Sequence, residues 1–258
     1  MKHIQSRDNP FFKELVKLGG SARQRGKAGQ TLLDGAHLLA AYLDSGKQPQ
    51  HILLNAAALH DAEIMVLLER AAGVPVTQLD DRLFAELSEL KTPTGILALI
   101  DVPRTTVMQS NFALLLEGIQ DPGNLGSMLR SAAAAGCDAV FLSTGCADAW
   151  SPKVLRAAMG GHFALNIFER QDLRGVARVF SGALLAASLQ AKHSLYGCDL
   201  RGDVAFLVGN EGAGLSAGLL DMATQTVAIP MPGKIESLNA AAATAICLFE
   251  AVRQRVEP

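Results

Sequence analysis

Short apolar runs alternate with longer amphipathic segments along the chain from residue 31 onwards. In the first half, the runs have the length of buried strands and are bounded by polar or glycine residues. They are TLLDG (31–35), HILLN (51–55), VPVTQL (74–79) and TGILALI (94–100). The segments between them carry apolar residues at helical spacing, and two of these segments end on a glycine, at 46 and 73. This alternation predicts a small α/β unit.

The second half repeats the alternation with longer apolar runs. Predicted strands are FALLLEGI (112–119), DAVFLS (138–143), HFALNIF (162–168), GALLAAS (182–188), DVAFLVGN (203–210) and TQTVAIPM (224–231). Predicted helices are 123–136, 151–161, 170–180, a short one after Ser216, and 237–256. Continuous apolar runs are typical of strands covered on both faces, so we expect a mainly parallel sheet with flanking helices. In such sheets ligands bind beyond the carboxyl ends of the strands.

A polar segment with one proline, DVPRTTVMQSN (101–111), separates the two halves. Such composition is typical of a linker. We therefore predict two domains, residues 1–107 and 108–258.

Charge changes this picture only at the N-terminus. The whole chain has a net charge of −2, which excludes a globally basic nucleic-acid binder. Residues 1–30 nevertheless hold seven lysines and arginines against two acidic residues. This basic segment is either a solvated, partly frayed terminus or an arm that contacts a phosphate backbone.

The four cysteines, Cys137, Cys146, Cys198 and Cys247, have no metal-ligand spacing, and the six histidines are scattered. We expect no metal site and a reducing compartment for these thiols. The first residues lack the apolar core of a signal peptide, and no apolar stretch has the length of a membrane span. The expected location is the cytoplasm.

Three predicted strands are followed by loops with candidate chemistry. In EGIQDPGNLGSMLR (117–130), Pro122 and Gly123 force a turn, Asn124 lies where a helix begins, and Arg130 lies two turns into that helix. On its own this segment also fits a simple turn followed by a capped helix with a solvated arginine.

The second loop, VGNEGAGLS (208–216), is glycine-rich but unsuited to a phosphate. It has neither the lysine of a P-loop nor the GxGxxG order of a dinucleotide site, and Glu211 would repel a pyrophosphate. A carboxylate among glycines suits a neutral or cationic ligand that approaches the backbone closely. A flexible turn remains the alternative.

The third loop is IPMPGKIESLNAAAATA (229–245), in which prolines stiffen the exit from a strand. Ser237 or Asn239 is a candidate cap for the terminal helix. The alanines that follow also leave room for a neighbouring loop to pack closely.

Together, in this order, the three segments resemble the SpoU (TrmH-like) branch of the SPOUT methyltransferases over residues 111 to 256. The first half more weakly resembles the ribosomal-protein-like substrate-binding domain found ahead of this catalytic domain, through TLLDGAHLLAAYLDSG (31–46), where Asp34 replaces the commoner glutamate. Ala213 stands where many members carry a basic residue. The resemblance implies an α/β-knot fold with a deep trefoil knot, a homodimer, and S-adenosylmethionine-dependent methylation of a ribose 2′-hydroxyl in RNA. Ribosomal RNA is the preferred substrate, and transfer RNA remains open.

The resemblance also implies roles for residues. The catalytic set is Asn124, Arg130, Glu211, Ser237 and Asn239, and the cofactor-binding set is Leu207, Gly209, Asn210, Gly212, Ile229, Met231 and Leu238. A guanidinium stays protonated in proteins, so Arg130 suits a phosphate clamp or a stabiliser of alkoxide charge better than a base. The proton acceptor is left unassigned.

Other functions compete with this interpretation. A methyltransferase of the same shape could act on a base, and an RNA-binding or ribosome-assembly protein could keep the fold without catalysis. A dinucleotide oxidoreductase is excluded by the glycine spacing of the second loop.

Overall fold

The computed structural model describes residues 1–90, 92–105 and 110–256. Over these residues the chain forms two compact units. The first comprises Met1–Arg104 and Trp150–Phe163, and the second comprises Thr105–Ala149 and Ala164–Pro258. A short segment from the second half of the chain therefore folds with the first unit. The boundary that we predict near residue 108 lies outside the described residues.

The elements alternate as an α/β protein requires. In chain order the strands are β1 (Lys2–Ile4), β2 (Gln30–Asp34), β3 (His51–Leu54), β4 (Val76–Leu79), β5 (Ile96–Asp101), β6 (Phe112–Glu117), β7 (Ala139–Leu142), β8 (Asn166–Phe168), β9 (Ala183–Ala187), β10 (His193–Ser194), β11 (Val204–Gly209) and β12 (Gln225–Ala228). The helices are α1 (Pro10–Gly20), α2 (Ala22–Ala28), α3 (Ala36–Asp44), α4 (Ala62–Arg70), α5 (Asp81–Leu87), α6 (Pro122–Ala134), α7 (Pro152–Ala158), α8 (Leu173–Val179), α9 (Ala217–Leu220) and α10 (Ala240–Val256). Short 3₁₀ turns occupy Ala57–His60, Gly161–Ala164 and Leu195–Gly197.

The first unit is built on a mixed sheet with the strand order β1-β4-β3-β5-β2. Strand β5 runs antiparallel to both of its neighbours, whereas β1, β4 and β3 are mutually parallel. Its core joins strand residues such as Leu53 and Leu97 to helix residues such as Phe12 and Phe84. The small α/β unit predicted from the apolar runs is confirmed.

The N-terminal segment is folded, so it is neither a frayed terminus nor a free arm, and its contact with a phosphate backbone stays a prediction. Residues 1–30 form β1, α1 and α2, and the side chains of Phe12, Leu15 and Leu18 are buried in the core. The side chain of Asn9 caps α1 by accepting from the backbone N–H groups of its first turn. The apolar residues of α1 recur at helical spacing between charged residues, which is typical of a helix with one face in the core.

The second unit is built on a parallel sheet with the strand order β10-β12-β9-β11-β6-β7-β8. Every pairing among these strands is parallel in the described residues. The central strands β6 and β11 are almost entirely buried up to their last residue. The prediction of a mainly parallel sheet with buried strands is therefore confirmed, and its carboxyl ends lie along one edge.

Local signals set several element ends. Ser151 caps α7 by accepting from the backbone N–H of Val154, with Pro152 in the first turn, as the sequence predicts. Gly136 follows α6 in a left-handed conformation, which glycine adopts without strain. The predicted strand 162–168 is wrong in its first half, because Gly161–Ala164 form a 3₁₀ turn and β8 begins only at Asn166.

The four cysteines are free, and Cys137 and Cys247 are buried. Burial raises the pKa of each of these two thiols to about 12, which makes them unreactive near neutral pH. Within the described part of the chain, no helix combines the length and the apolar character that a bilayer crossing requires.

Candidate active site

The loops that follow β6, β11 and β12 meet at the carboxyl edge of the second sheet. We call them the first loop (118–124), the second loop (210–216) and the third loop (229–239). Strands β6 and β11 are hydrogen-bonded neighbours, with Glu117 opposite Gly209 at their ends, so the first two loops start side by side. A cavity of about 670 Å³ lies between the second and third loops and the residues after β9. Its volume falls within the usual range for small-molecule sites, about 300–1,000 Å³.

A chain of hydrogen bonds joins the three loops. Asn239 in the third loop donates its Nδ2 to the Oδ1 of Asn124 in the first loop, at 2.9 Å. Asn124 in turn donates its Nδ2 to Oε1 of Glu211 in the second loop. Three of the five residues predicted as catalytic are therefore in direct contact, although they come from positions far apart in sequence.

The orientation of both amides in this chain follows from their partners. The Oδ1 of Asn239 accepts from the backbone N–H groups of Ala241 and Ala242, so Asn239 caps α10 and its Nδ2 must face outwards. The carboxylate of Glu211 accepts only, so the Nδ2 of Asn124 must face it. Both hydrogen bonds are therefore donated in the same direction, from Asn239 at the start of α10 to Asn124 and from Asn124 to the carboxylate of Glu211.

The second loop is folded tightly by its own residues. Oδ1 of Asn210 accepts from the backbone N–H groups of Gly212 and Ala213, at 2.8 and 3.1 Å, and its Nδ2 donates to the carbonyl of Gly118 at 2.9 Å. A Cβ at Gly209 would overlap the backbone of Gly214. Glycine at position 209 is therefore required for this turn.

The end of the second loop is fixed by a residue that sequence reasoning did not select. The carboxylate of Glu117 accepts from both the backbone N–H and the hydroxyl of Ser216, at 2.7 and 2.8 Å. In the sequence, Glu117 is only a carboxylate at the end of an apolar run. Its position opposite Gly209 becomes visible once the strand pairing is known.

Six of the seven residues predicted to bind a cofactor line the cavity. They are Gly209, Asn210, Gly212, Ile229, Met231 and Leu238. The seventh, Leu207, has no exposed surface and packs in the core below the sheet edge, whereas its neighbour Val208 lines the cavity. Leu207 therefore supports the site from beneath, because side chains alternate between the two faces of a strand.

Two predicted catalytic residues do not join the hydrogen-bonded chain. Ser237 is exposed in the third loop and lines the cavity. Arg130 is exposed on α6, does not line the cavity, and has no hydrogen bond or ion pair with any described residue of its own chain. The six residue steps from Asn124 to Arg130 amount to a net rotation of about 240° around the helix axis and a rise of about 9 Å, so the two side chains lie on different faces.

The cavity also has a wall that the sequence reasoning missed. Ser188, Leu189 and Gln190, which follow β9, contribute to it. They follow a predicted strand, and in a parallel sheet the residues after each strand reach the same edge. That rule could have found them without any motif.

The electrostatic character of the cavity is simple. Among the described residues that line it, Glu211 is the only one with a charged side chain. The remaining lining is apolar, backbone or neutral polar, so the cavity offers a phosphate no lysine or arginine and offers a cation one carboxylate. The described residues also contain no cluster of three or more His, Cys, Asp or Glu side chains that could hold a metal ion.

Comparison with protein-family models gives two matches. The model of the SpoU rRNA Methylase family matches residues 111–249, which include all three loops. The model of the MRM3-like substrate binding domain matches residues 9–98.

Whole-chain comparisons agree with these matches. The 23S rRNA (guanosine(2553)-2′-O)-methyltransferase of Bacillus subtilis is 33% identical over 96% of this chain and 98% of its own. A crystal structure of an RNA 2′-O ribose methyltransferase superimposes with a TM-score of 0.84, at 31% identity, over 98% of this chain and 99% of the other. The SpoU methyltransferase AviRb from Streptomyces viridochromogenes, in complex with AdoMet, also gives a TM-score of 0.84, at 26% identity, over 97% of this chain and 100% of the other.

Proposed function

The chain belongs to the SpoU rRNA methylase family, and we propose that it methylates a ribose 2′-hydroxyl of ribosomal RNA. It is an RNA 2′-O-methyltransferase that uses S-adenosylmethionine. The single observation that carries the proposal is the cavity lined by Glu211 and Asn239, because hydrogen bonds through Asn124 join these two residues and bring all three loops together.

The cavity fits the proposed methyl donor. When bound, S-adenosylmethionine supplies an electrophilic methyl group on a positively charged sulfur. The apolar side chains of Ile229, Met231 and Leu238 would cover the adenosine, and the backbone of the second loop would accept and donate its hydrogen bonds. Glu211 supplies the negative charge that complements a cation, and the described lining residues include no lysine or arginine, which disfavours nucleotide phosphates.

We assign the polar chain a role in placing the acceptor ribose. Asn124 and Asn239 hold each other in fixed orientations, and Ser237 lies on the same loop as Asn239. Groups whose orientation is fixed before the substrate arrives can hold the hydroxyl in line for attack with little loss of freedom. No described residue is assigned as the acceptor of the hydroxyl proton.

Arg130 is proposed to complete the site of the partner subunit in a homodimer. Its side chain lies on a different face of α6 from Asn124 and is exposed, so it is available to a second copy. Helix α10 adds an apolar surface for such a contact: Ile246 is half-buried, and Phe249, one turn further, is 46% exposed. In that position the guanidinium would clamp a phosphate next to the target ribose.

Mixed dimers test this assignment. Differently tagged Arg130→Ala and Asn239→Ala chains are co-expressed, and hybrids are purified through both tags. If Arg130 acts across the interface, one site of each hybrid keeps both residues, and about half of the wild-type activity is expected for a symmetric dimer. If Arg130 acts within its own chain, both sites carry a defect and the hybrid stays inactive. Each parent dimer should bind S-adenosylhomocysteine in calorimetry, which separates loss of chemistry from loss of folding.

The first domain, residues 1–107, is proposed to bind the RNA, and residues 108–258 to carry the methyltransferase. Lys17, Arg23 and Lys27 are exposed on α1 and α2 and would contact phosphates. Each phosphate contact adds about 0.7–0.9 to the slope of log affinity against log salt concentration. Replacing the three with alanine should therefore lower that slope by about 2–3, whereas Lys192→Ala, at an exposed lysine of the second unit, should leave it unchanged. Equal slopes for wild type and triple variant would remove this surface from RNA binding.

The substrate is tested by methylation in vitro. The protein is incubated with S-adenosylmethionine labelled in its methyl group and with total RNA from a strain that lacks the gene. We expect label in ribosomal RNA, at a linkage that resists alkaline hydrolysis because its 2′-oxygen is methylated. Label in transfer RNA or on a base would change the proposed substrate, and binding of RNA without any transfer would favour a non-catalytic role.

Two further assignments follow from the family. We propose that residues after β11 form the deep trefoil knot of SPOUT enzymes, which is supported by the return of α10 to pack on β11 and α6 after β12 has been added further out in the sheet. A crystal structure in which the backbone, traced from one terminus to the other, passes through no loop of its own chain would reject the knot. We also propose a cytoplasmic location, which fits four free cysteines, and cell fractionation is its test.

A further inference from the structure

Glu117 holds the second loop at the end opposite to Asn210. Its two carboxylate oxygens accept from the backbone N–H and the hydroxyl of Ser216, at 2.7 and 2.8 Å. The next residue, Gly118, accepts from Nδ2 of Asn210 at 2.9 Å. Two adjacent residues at the end of β6 therefore hold both ends of the second loop, which carries Glu211.

The hydroxyl of Ser216 is committed to this contact. Ser216 occupies the N-cap position of α9, yet its side chain makes no capping hydrogen bond there. A serine at that position usually caps the helix, so the pairing with Glu117 replaces the usual local bond. Both donors point at one carboxylate across a gap of 99 residues in sequence.

A carboxylate suits position 117 because its two oxygens accept from both the backbone N–H and the hydroxyl of Ser216. A glutamine would accept from the backbone N–H and donate to the hydroxyl oxygen, because a serine hydroxyl also accepts, but neither hydrogen bond would then be made to a charged group. Hydrogen bonds to a charged group are also stronger than those between neutral groups. With both bonds weakened, the second loop would be held less firmly beneath the cavity that Gly209 and Leu215 line.

We propose that Glu117 is a positioning residue for the methyl donor, acting through Ser216 on the second loop; this inference rests on the proposed function of the cavity. Glu117 does not line the cavity, so its effect on donor affinity is indirect. It aligns the loop and leaves the chemistry to the residues already described.

The test is a double-mutant cycle on binding of S-adenosylhomocysteine, measured by calorimetry. Glu117→Gln is expected to raise the Kd about 10-fold, which corresponds to about 1.4 kcal/mol. Ser216→Ala, which removes the hydroxyl bond and keeps the backbone bond, should raise it about threefold, and the double variant should bind no more weakly than Glu117→Gln, because both changes act on the same pair of residues. The KM for S-adenosylmethionine should rise in parallel, while kcat at saturation changes by less than about threefold.

Two controls keep the outcome interpretable. Glu86→Gln removes a carboxylate that is hydrogen-bonded to Arg7 in the first unit, and it should leave the Kd unchanged. If Glu117→Gln fails to fold, Ser216→Ala still tests the contact from its exposed side. Thermal unfolding separates the roles: a lower melting temperature with an unchanged Kd would make Glu117 merely structural and overturn the inference.

The experiment also distinguishes failure of this inference from failure of the proposed function. Wild-type protein that does not bind S-adenosylhomocysteine at all would reject the donor site itself. Wild-type binding together with effects of Glu117→Gln and Ser216→Ala that add fully would reject only the pairing.

Discussion

Exchanging the donor and acceptor between Asn124 and Glu211 should first break and then restore the hydrogen bond that joins the first and second loops. In the structure, the Nδ2 of Asn124 donates to Oε1 of Glu211. Asn124→Asp replaces that donor by a carboxylate oxygen, so two negative charges come into contact. The Oδ1 of Asn124 that accepts from Asn239 has an equivalent in aspartate, so the rest of the chain is preserved.

The cost follows from Coulomb's law. Two unit charges about 3 Å apart repel by about 1.4 kcal/mol at the dielectric constant of water and by about 5.5 kcal/mol at an effective value of about 20. Asn124 is half-buried and Glu211 is exposed, so solvent and side-chain movement favour the lower end. The donor is proposed to bind between joined loops, so a penalty of about 1.4–2.7 kcal/mol against joining them reduces the population competent to bind and raises the Kd for S-adenosylhomocysteine by about 10- to 100-fold.

The assay is calorimetry with S-adenosylhomocysteine, whose sulfur is neutral and does not need the charge of Glu211. Asn124→Asp should bind weakly at pH 7.5 and recover below about pH 5, because a proton shared between two carboxyls restores a donor. Asn124→Ala, which lacks the extra charge, should show no such recovery. Glu211→Gln in the Asn124→Asp background should restore binding at pH 7.5, since the glutamine now donates to the aspartate. If the double variant with Asn124→Asp and Glu211→Gln binds S-adenosylhomocysteine no more tightly than Asn124→Asp alone, the reasoning is refuted.

Three further outcomes are expected. Gly209→Ala should raise the Kd for S-adenosylhomocysteine at least about 10-fold, because the new Cβ overlaps the backbone of Gly214. Gly212→Ala has room for its Cβ, so its Kd in the same calorimetry should stay within about threefold of wild type. Arg25→Ala should lower the free energy of unfolding by about 2–3 kcal/mol in urea titration, since its guanidinium donates to the carbonyls of α1 from a buried position, and it should leave the salt dependence of RNA binding unchanged. Burial raises the pKa of Asp34, so the contribution of this group to stability is complete below its ordinary pKa near 4 and is lost as pH rises through the raised pKa. Asp34→Asn should therefore flatten the fall in the free energy of unfolding above about pH 4. An unchanged pH profile of unfolding would contradict this assignment.

Much of the fold could be predicted because its strands are short and buried on both faces. Leu114 to Leu116 and Val204 to Leu207 read as continuous apolar runs, and continuous runs are typical of a parallel sheet. Glycine at 136 and serine at 151 mark element ends by local chemistry, which needs no tertiary contact. Helix α1 is not predicted, although Phe12, Leu15 and Leu18 have helical spacing, because a segment rich in lysine and arginine is equally typical of a solvated terminus.

Parts of the site could be predicted only as types of residue. The sequence identifies Asn124, Glu211 and Asn239 as members of three loops, but not which of them touch. Glu117 gave no signal, because its partner Ser216 lies 99 residues away and only the pairing of β6 with β11 brings them together. Leu207 is predicted to bind the cofactor, yet its side chain is buried in the core, because side chains alternate between the two faces of β11.

The sequence by itself determined the α/β alternation, the family of the three loops and the absence of phosphate-binding chemistry in the second loop. These properties depend on the identity and spacing of neighbouring residues, which a linear pattern records. Only the tertiary structure decided that Asn124 bridges Glu211 and Asn239, that Arg130 faces away from them, and that Glu117 holds Ser216. Each of these depends on strand register and helix rotation, and those are set by the packing of residues that are distant in the chain.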